Sequence, residues 1–592
     1  MTASYSRLPS YLKQYCVEQD YDAYTSRDQA AWRFIMRQNR AFFRTHAVAA
    51  YEKGLQKTGI PIDRIPRISE MDEKLSEFGW GAVAVNGFIP PSAFLEFQAL
   101  GILAIACDMR TVEHIDYTPA PDIVHEAAGH APILNDPAYA AYLKRYARVA
   151  QQAIFSREDI DLYEAIRYLS DIKENPDISC AEIERAEARF QAAYAGTTHV
   201  SEAAKVGRMA WWTVEYGLVG SIESPLIYGA GLLSSVGESQ NCLSRDVKKI
   251  PLRLDCVEQG FDITKPQPQL FVARKMEDLV SVLEDLEKTM SFHQGGKLGL
   301  DRAIQSKTVN TVVLDSGLEI AGLLEIRDLA ADDAPVFLKF SGPVQLAFAG
   351  KQLLGHGRSR HCHGFSSPLG RFAKAPEKKP HQLSDDDLNR IGLQRGRNCR
   401  LEFCSGFVVE GVVGGWHREN GSLVYISFRR PKVSRGDSIF FDPSWGDFDL
   451  GIGESVVSVR GGPANRDDYG DYDVGQASTK PGRASAFTDS EMDLFAIYQE
   501  LRILRIEAKK GDRRAQNIAQ LARLSTKLAQ AYSSEWLASL ELLEVASAEL
   551  KLTKSEAPWL AELEAKLAAA AQSAPPSLSK VMQIGIKLSS QA

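Results

Sequence analysis

The sequence predicts a multi-domain chain: a mainly α catalytic domain, then a mostly β domain, then a C-terminal helical unit. Three observations carry this reading. Apolar residues follow the helical period up to about residue 300. From about Thr308 the period changes to two, and between Gly461 and Ser485 lies a polar stretch of Gly, Asp, Ser, Pro and Lys. The expected division is 1–300, 301–460, a flexible linker at 461–485, and 486–592.

In the first unit, Ala31 to Tyr51 and Met209 to Leu218 carry wide apolar stripes, as buried helices do. Leu162, Tyr163, Ile166 and Leu169 mark one amphipathic helix, Asn175-Pro176-Asp177 stops it, and Ser179 with Glu182 forms a capping-box pattern for a second. The segment of about 155–196 therefore reads as an inserted helical hairpin. In the β unit, the runs Val309 to Leu314, Val336 to Phe340, Leu401 to Val412 and Leu423 to Phe428 are strand-like, and Asn420-Gly421 supplies a tight hairpin turn. The linker has only Tyr469, Tyr472 and Val474 as large apolar residues. After it, Thr488 and Glu491 start a helix with Leu494, Ile497, Leu501 and Leu504, followed by Ile518, Leu521, Leu524 and Leu528. Ala561 to Ala571 reads as the last helix.

Composition narrows the function. With 592 residues, 69 Lys plus Arg and 76 Asp plus Glu, the net charge of -7 provides no basic field for nucleic acid. No stretch approaches the roughly 18 apolar residues of a membrane span, and Met1 to Cys16 does not read as a secretory signal. A cytoplasmic protein without a membrane or nucleic-acid partner is expected. The eight cysteines form neither a CxxC pair nor an even framework, so reduced thiols are expected.

The chemistry concentrates in Tyr117 to His130. His125 and His130 are five residues apart, which on a regular helix leaves the rings about 140° apart, so His130 is expected where the helix ends and Gly129 lets the chain depart. In Trp211-Trp212-Thr213-Val214-Glu215, a carboxylate stands among apolar residues and must be paired, protonated or metal-bound when buried. Two imidazoles and a carboxylate can take one face of an octahedral metal and leave three positions open, which suits Fe(II) enzymes that use oxygen.

Thr118 to Pro132 (TPAPDIVHEAAGHAP), Trp211 to Leu218 (WWTVEYGL) and Tyr228 to Cys242 (YGAGLLSSVGESQNC) together resemble the pterin-dependent aromatic amino acid hydroxylases, over about Ala31 to Ala273. The resemblance implies that family's fold, and Fe(II) with tetrahydrobiopterin or another tetrahydropterin as cofactors. Dioxygen and an aromatic amino acid are then the other reactants. One oxygen atom leaves with the pterin and the other enters the substrate ring. On the same resemblance His125, His130 and Glu215 are the iron ligands. Arg110 clamps the substrate carboxylate and Asp122 holds Arg110. Thr118, Trp211, Gly231 and Ser234 line the amino acid pocket. Ile89, Phe94 and Glu126 meet the pterin, and Glu126 and Glu215 are the carboxylates engaged in catalysis. Glu238 would support the metal from behind. Ala210 stands where an aromatic residue is common near the pterin. No animal-type regulatory domain fits before Ala31, and the familiar tetramerisation helix is not recognisable.

Trp211 fits the phenylalanine and tyrosine enzymes better than the tryptophan ones, and Ile263 aligns with a position that is apolar in phenylalanine enzymes. Phenylalanine is thus the first choice, with tyrosine or tryptophan as alternatives. Two other classes compete: a zinc hydrolase using the same ligands, and a scaffold protein with an inert hydroxylase-like unit. The C-terminal helices could carry a homo-oligomer contact. His356, His361, Cys362 and His363 lack a second ligand pair at a recurrent zinc spacing, so an ordinary loop with exposed histidines is expected there. Gly229-Ala230-Gly231 is read as packing, since the third glycine of a dinucleotide fingerprint is missing.

Overall fold

A computed structural model of the chain describes residues 2–115, 121–173, 178–262, 265–478, 487–510 and 513–591. Thr118, the Asn175-Pro176-Asp177 stop and Ile263 lie outside the described residues. Among those described, no helix is long and apolar enough to cross a membrane. All eight cysteines are free.

The N-terminal half is mainly helical around two small sheets. Gly81–Val85 and Ile102–Ala106 form a parallel pair, buried throughout. A second sheet runs in the order Pro225–Ile227, Leu218–Gly220, Gln269–Ala273, Lys248–Pro251. The first apolar stripe becomes the helix Ser26–His46, started by a capping box between Thr25 and Asp28, and the chain turns into a separate helix at Ala50–Lys57. The inserted hairpin is present as Arg157–Lys173 and Cys180–Ala195, the second helix capped by Ser179.

Strands from Val309 to Gly461 build a six-stranded and a five-stranded sheet. Phe407–Glu419 and Ser422–Arg435 are joined by Asn420-Gly421, both at positive φ (48° and 83°), the geometry such a turn needs. The run Leu401 to Val412 divides into Asn398–Glu402 and Phe407–Glu419, because Gly406 at φ 82° turns the chain between them. The last strand, Val456–Gly461, pairs with the first, Val309–Leu314. The chain thus leaves the β unit beside the point where it entered and can return to the helical half.

Three expectations differ from what the structure shows. The polar segment after Gly461 is packed as far as residue 478. Arg466 bonds Glu96 at 2.6 Å and lies over the rings of Tyr11 and Tyr472. Tyr469 is buried and donates to the carbonyl of Pro343. Its few apolar side chains anchor this segment, and residues 479–486 lie outside the described residues. The C-terminal helices, in turn, share one hydrophobic cluster with the N-terminal half: Ile497, Leu501, Leu504, Leu540 and Val581 belong to the same core as Trp32, Phe34, Ile35 and Met36. The stripe on Ser26–His46 is wide because a second layer of helices covers it. The chain's last helix is Pro576–Gln591, one beyond the Ala-rich Trp559–Ser573.

Candidate metal and substrate site

His125 and His130 lie within one π-helical segment, Val124–His130, that continues as a 3-10 turn at Ala131–Asn135. Hydrogen bonds from i to i+5 bring residue i+5 back over residue i, and such turns recur at functional sites. His130 is the last residue of this segment, as expected, but the rings meet through π-helical geometry and not through a departure from a regular helix. Gly129 has a different task as well: a Cβ there would come 2.6 Å from the carbonyl oxygen of Ala230, so glycine permits close approach of the segment Ala230–Leu233. A second π turn, Trp211–Glu215, delivers the carboxylate.

The three side chains converge. The Nε2 atoms of His125 and His130 are 3.2 Å apart, and Glu215 lies 3.4 Å from the first and 3.3 Å from the second. Their donor atoms can all be chosen within 4.8 Å of one another, which suits one small cation. His130 is 1% exposed, whereas His125 and Glu215 each keep 21%, so the cluster is open on one side. Burial and the neighbouring imidazolium hold His125 down at about 4, although Glu215 pulls the other way. For His130, burial works against the charged form, but Glu215 and Glu126 outweigh it and raise the group to about 9. Glu215 is likewise opposed by burial, yet His130, His125 and the amide of Gly231 bring it to about 2. Glu215 and His130 thus favour each other's charged forms, an attraction that a divalent cation can take over from the proton.

Ser234 orients His125. Its hydroxyl lies 3.2 Å from the carbonyl of Gly231, to which it can donate, and 3.1 Å from His125 Nδ1, from which it can then accept. That pairing favours the Nδ1–H tautomer, which turns the Nε2 lone pair to the cluster. Ser234→Ala is expected to lower iron affinity by roughly 10- to 100-fold, read by iron titration against a competing chelator; unchanged affinity would remove this role.

Arg110 is fixed by a fork on Asp122, with Nε at 2.7 Å and Nη2 at 2.8 Å, while Nη1 donates to the carbonyl of Ser234 at 3.2 Å. Asp122 also accepts from the backbone amide of His125. Arg110 and the backbone of His125 are thus held by one carboxylate. Trp211 is stacked on Phe261, with centroids 4.2 Å apart, and on Tyr216 at 4.6 Å. Glu126 is buried, and that burial, with Glu215 and Asp122 nearby, pushes its carboxyl up to about 8. Gly231 touches Glu215 rather than merely lining a pocket: its amide donates to that carboxylate. Glu238 turns away to the amide of Gln267. Ala210 is partly buried against the core.

Gly229 bears out the packing reading of its motif, since a Cβ there would lie 2.3 Å from the amide nitrogen of Gly217 and 2.4 Å from the carbonyl of Glu215. Gly229→Ala must push the Glu215 segment aside, and a loss of about 1–3 kcal/mol is expected, measured as a lower urea midpoint. A midpoint equal to wild type would show that the segment has room to move.

Ile89 and Phe94 lie beyond the first strand of the parallel pair, packed with Val85, Ala93 and Phe97. The loop before them is tied to the second strand's end by Gly87, whose amide donates to Asp108 at 3.1 Å. The sequence reading missed what lies on this loop. Ser478 exchanges two bonds with Phe88, its amide to the carbonyl at 2.7 Å and its hydroxyl accepting at 3.0 Å. Its hydroxyl also reaches Asp171 of the inserted hairpin at 2.6 Å, and Tyr163 bonds the carbonyl of Gln476. Insertion and returning segment therefore brace the loop together; only the polar–apolar pattern of 469–474 hinted at it.

The sequence profile of the biopterin-dependent aromatic amino acid hydroxylases matches residues 15–158 and 191–303. Its interruption falls on the inserted hairpin. The phenylalanine-4-hydroxylase of Mesorhizobium japonicum is 29% identical over 282 residues, 47% of this chain and 84% of that protein. That of Chromobacterium violaceum is 27% identical over 271 residues, 44% of this chain and 76% of that protein. A crystal structure of the Chromobacterium violaceum enzyme with bound iron(III) and 7,8-dihydrobiopterin aligns with 48% of this chain and 92% of its own, at 23% identity and a TM-score of 0.37. Over residues 15–158 and 191–303, on either side of the inserted hairpin, the chain is similar to the biopterin-dependent aromatic amino acid hydroxylases.

Proposed function

We propose that the chain is a monooxygenase that hydroxylates the ring of an aromatic amino acid, phenylalanine to tyrosine in the first instance, with Fe(II) and a tetrahydropterin. The observation that carries the reading is the convergence of His125, His130 and Glu215 beside an Arg110 already locked by Asp122. The donor set fits the metal: two nitrogens and one carboxylate on one side, with the other side accessible. Iron and pterin, when bound, supply the activation of dioxygen.

The chain's own residues position and shield. Arg110, whose Nε and Nη2 grip Asp122, can turn its remaining Nη1 and Nη2 hydrogens to the substrate carboxylate, and because Asp122 and Ser234 fix it beforehand, little side-chain freedom is lost on binding. Trp211, stacked on Phe261 and on Tyr216, can meet the substrate ring with its edge. Ile89 and Phe94 offer an apolar seat for the pterin, and Glu126, whose carboxyl burial raises, can hydrogen-bond to it. Phenylalanine as substrate is supported by the names of the relatives and by Trp211. The test is to incubate Fe(II)-loaded protein and tetrahydropterin under air with phenylalanine, tyrosine and tryptophan separately. Tyrosine formed from phenylalanine is the expected result; no hydroxylated product from any of the three would overturn the proposal.

A further inference from the structure

The β unit contains a second cluster of metal-binding character. His356 and His361 were expected on an exposed loop, but both are buried, at 5% and 8% exposure, and only Cys362 and His363 face solvent. Nδ1 of His356 lies 3.1 Å from Nε2 of His361, and Asp449 on the strand Phe448–Gly451 lies 3.8 Å from His356 Nδ1. Donor atoms of all three can be chosen within 4.8 Å of one another.

The arrangement repeats features of the first site. Two histidines five residues apart turn ring nitrogens toward each other at 3.1 Å here and 3.2 Å there, and a carboxylate from a distant element completes the set. The backbone around the pair is fixed before any ligand arrives. The carbonyl of His356 accepts from Leu346 at 2.9 Å and that of His361 from Val344 at 3.1 Å, both on the strand Pro335–Phe348. Tyr425 packs on the His356 ring at 4.3 Å and Phe365 on the edge of His361 at 5.5 Å. Asp449 has one satisfied oxygen: Oδ2 accepts from Arg360 at 2.8–2.9 Å, whereas buried Oδ1 has no hydrogen-bond partner. A buried carboxylate oxygen left unpaired is costly, and each such atom calls for an explanation.

We infer that His356, His361 and Asp449 bind a divalent transition metal, with Zn(II) as the matching borderline cation for two imidazoles and a carboxylate. The ion clasps the loop of residues 353–361 to the strand Phe448–Gly451. Three protein ligands leave a fourth tetrahedral position for water or a further donor. Asp449 approaches His356 through Oδ2, the oxygen that Arg360 also holds, while Oδ1 keeps its lone pairs unpaired within the same carboxylate.

The test counts zinc on the full chain. Metal-stripped protein is incubated with Zn(II), desalted, and analysed for bound zinc per chain by mass spectrometry. Wild type is expected to keep two equivalents, Glu215→Ala about one, His361→Ala about one, and the double variant none. Should His361→Ala fail to give a folded protein by circular dichroism, Asp449→Asn takes its place with the same expectation. Co(II) substitution in Glu215→Ala should then give visible d–d absorption that Asp449→Asn removes. One equivalent in wild type with none in Glu215→Ala would overturn the inference. So would a count that His361→Ala and Asp449→Asn leave unchanged. Neither result depends on hydroxylase activity, so failure here and failure of the proposed function are distinguishable.

Discussion

Glu215→Ala is expected to lose its iron and, with it, all hydroxylated product. The carboxylate is the sole anion within hydrogen-bonding range of both imidazoles among the described residues, 3.4 Å from His125 and 3.3 Å from His130. Even groups that merely support a metal ligand typically contribute about 10- to 100-fold in affinity or activity, so removing a direct ligand should exceed that range. Two further readouts separate a lost metal site from a lost fold. Iron content after desalting should fall to background while the circular dichroism spectrum keeps its helical shape, because Glu215 ends a segment whose other side chains, Trp212, Thr213 and Val214, are buried independently of it. Apo His130 should also titrate lower in the variant, since Glu215 is the main influence that raises it against burial. Glu215→Gln preserves shape but not charge, and should recover little. Retained product in Glu215→Ala would move the chemistry away from this cluster altogether.

Much of this site is legible in sequence because the chemistry needs those residue types in one short window. His125, His130, Glu215, Arg110 and Asp122 converge as their motifs imply. The route of convergence is not legible: residue periodicity counts on a regular helix, and the two π turns at Val124–His130 and Trp211–Glu215 depend on packing that no local pattern expresses. The same limit explains His356 and His361. Spacing alone left them on a loop, whereas their partner Asp449 lies 88 positions beyond His361 and joins them only through the pairing of Ser427 with Asp449 in the sheet. Arg33 was equally silent. Arg33 is one of several arginines on Ser26–His46, and nothing local distinguishes it, because its partner is a carboxylate about 500 residues away.

That pair sets the second large effect. Arg33 grips Glu541 with Nε at 2.7 Å and Nη2 at 2.8 Å, and both side chains are nearly inaccessible, at 1% and 3%. Arg505 approaches the same carboxylate at 3.4 Å and Glu544 at 2.9 Å. Truncating one partner of such a pair leaves a buried charge uncompensated, which costs about 3–5 kcal/mol, a large share of the roughly 5–15 kcal/mol that holds a native protein. Glu541→Ala should therefore show a markedly lower urea midpoint, and adding Arg33→Met should recover part of it by removing the stranded cation. The pH dependence has a defined sign. Burial alone would raise the Glu541 carboxyl, but Arg33 and Arg505 bring it down to about 2 from an ordinary 4.5. A depressed carboxylate contributes in full above its unfolded value and loses that contribution as pH falls toward the folded one. Wild type should accordingly lose stability between about pH 4.5 and 2 more steeply than Glu541→Ala, while the gap between them stays constant above about pH 5. The consequence reaches the metal. Asn39, on the same helix as Arg33, donates to the carbonyl of Leu233 at 3.1 Å, and the next residue, Ser234, holds His125. Loosening the C-terminal helices from Ser26–His46 should thus weaken iron binding together with stability, whereas an unchanged urea midpoint in Glu541→Ala would mean that the catalytic half stands without them.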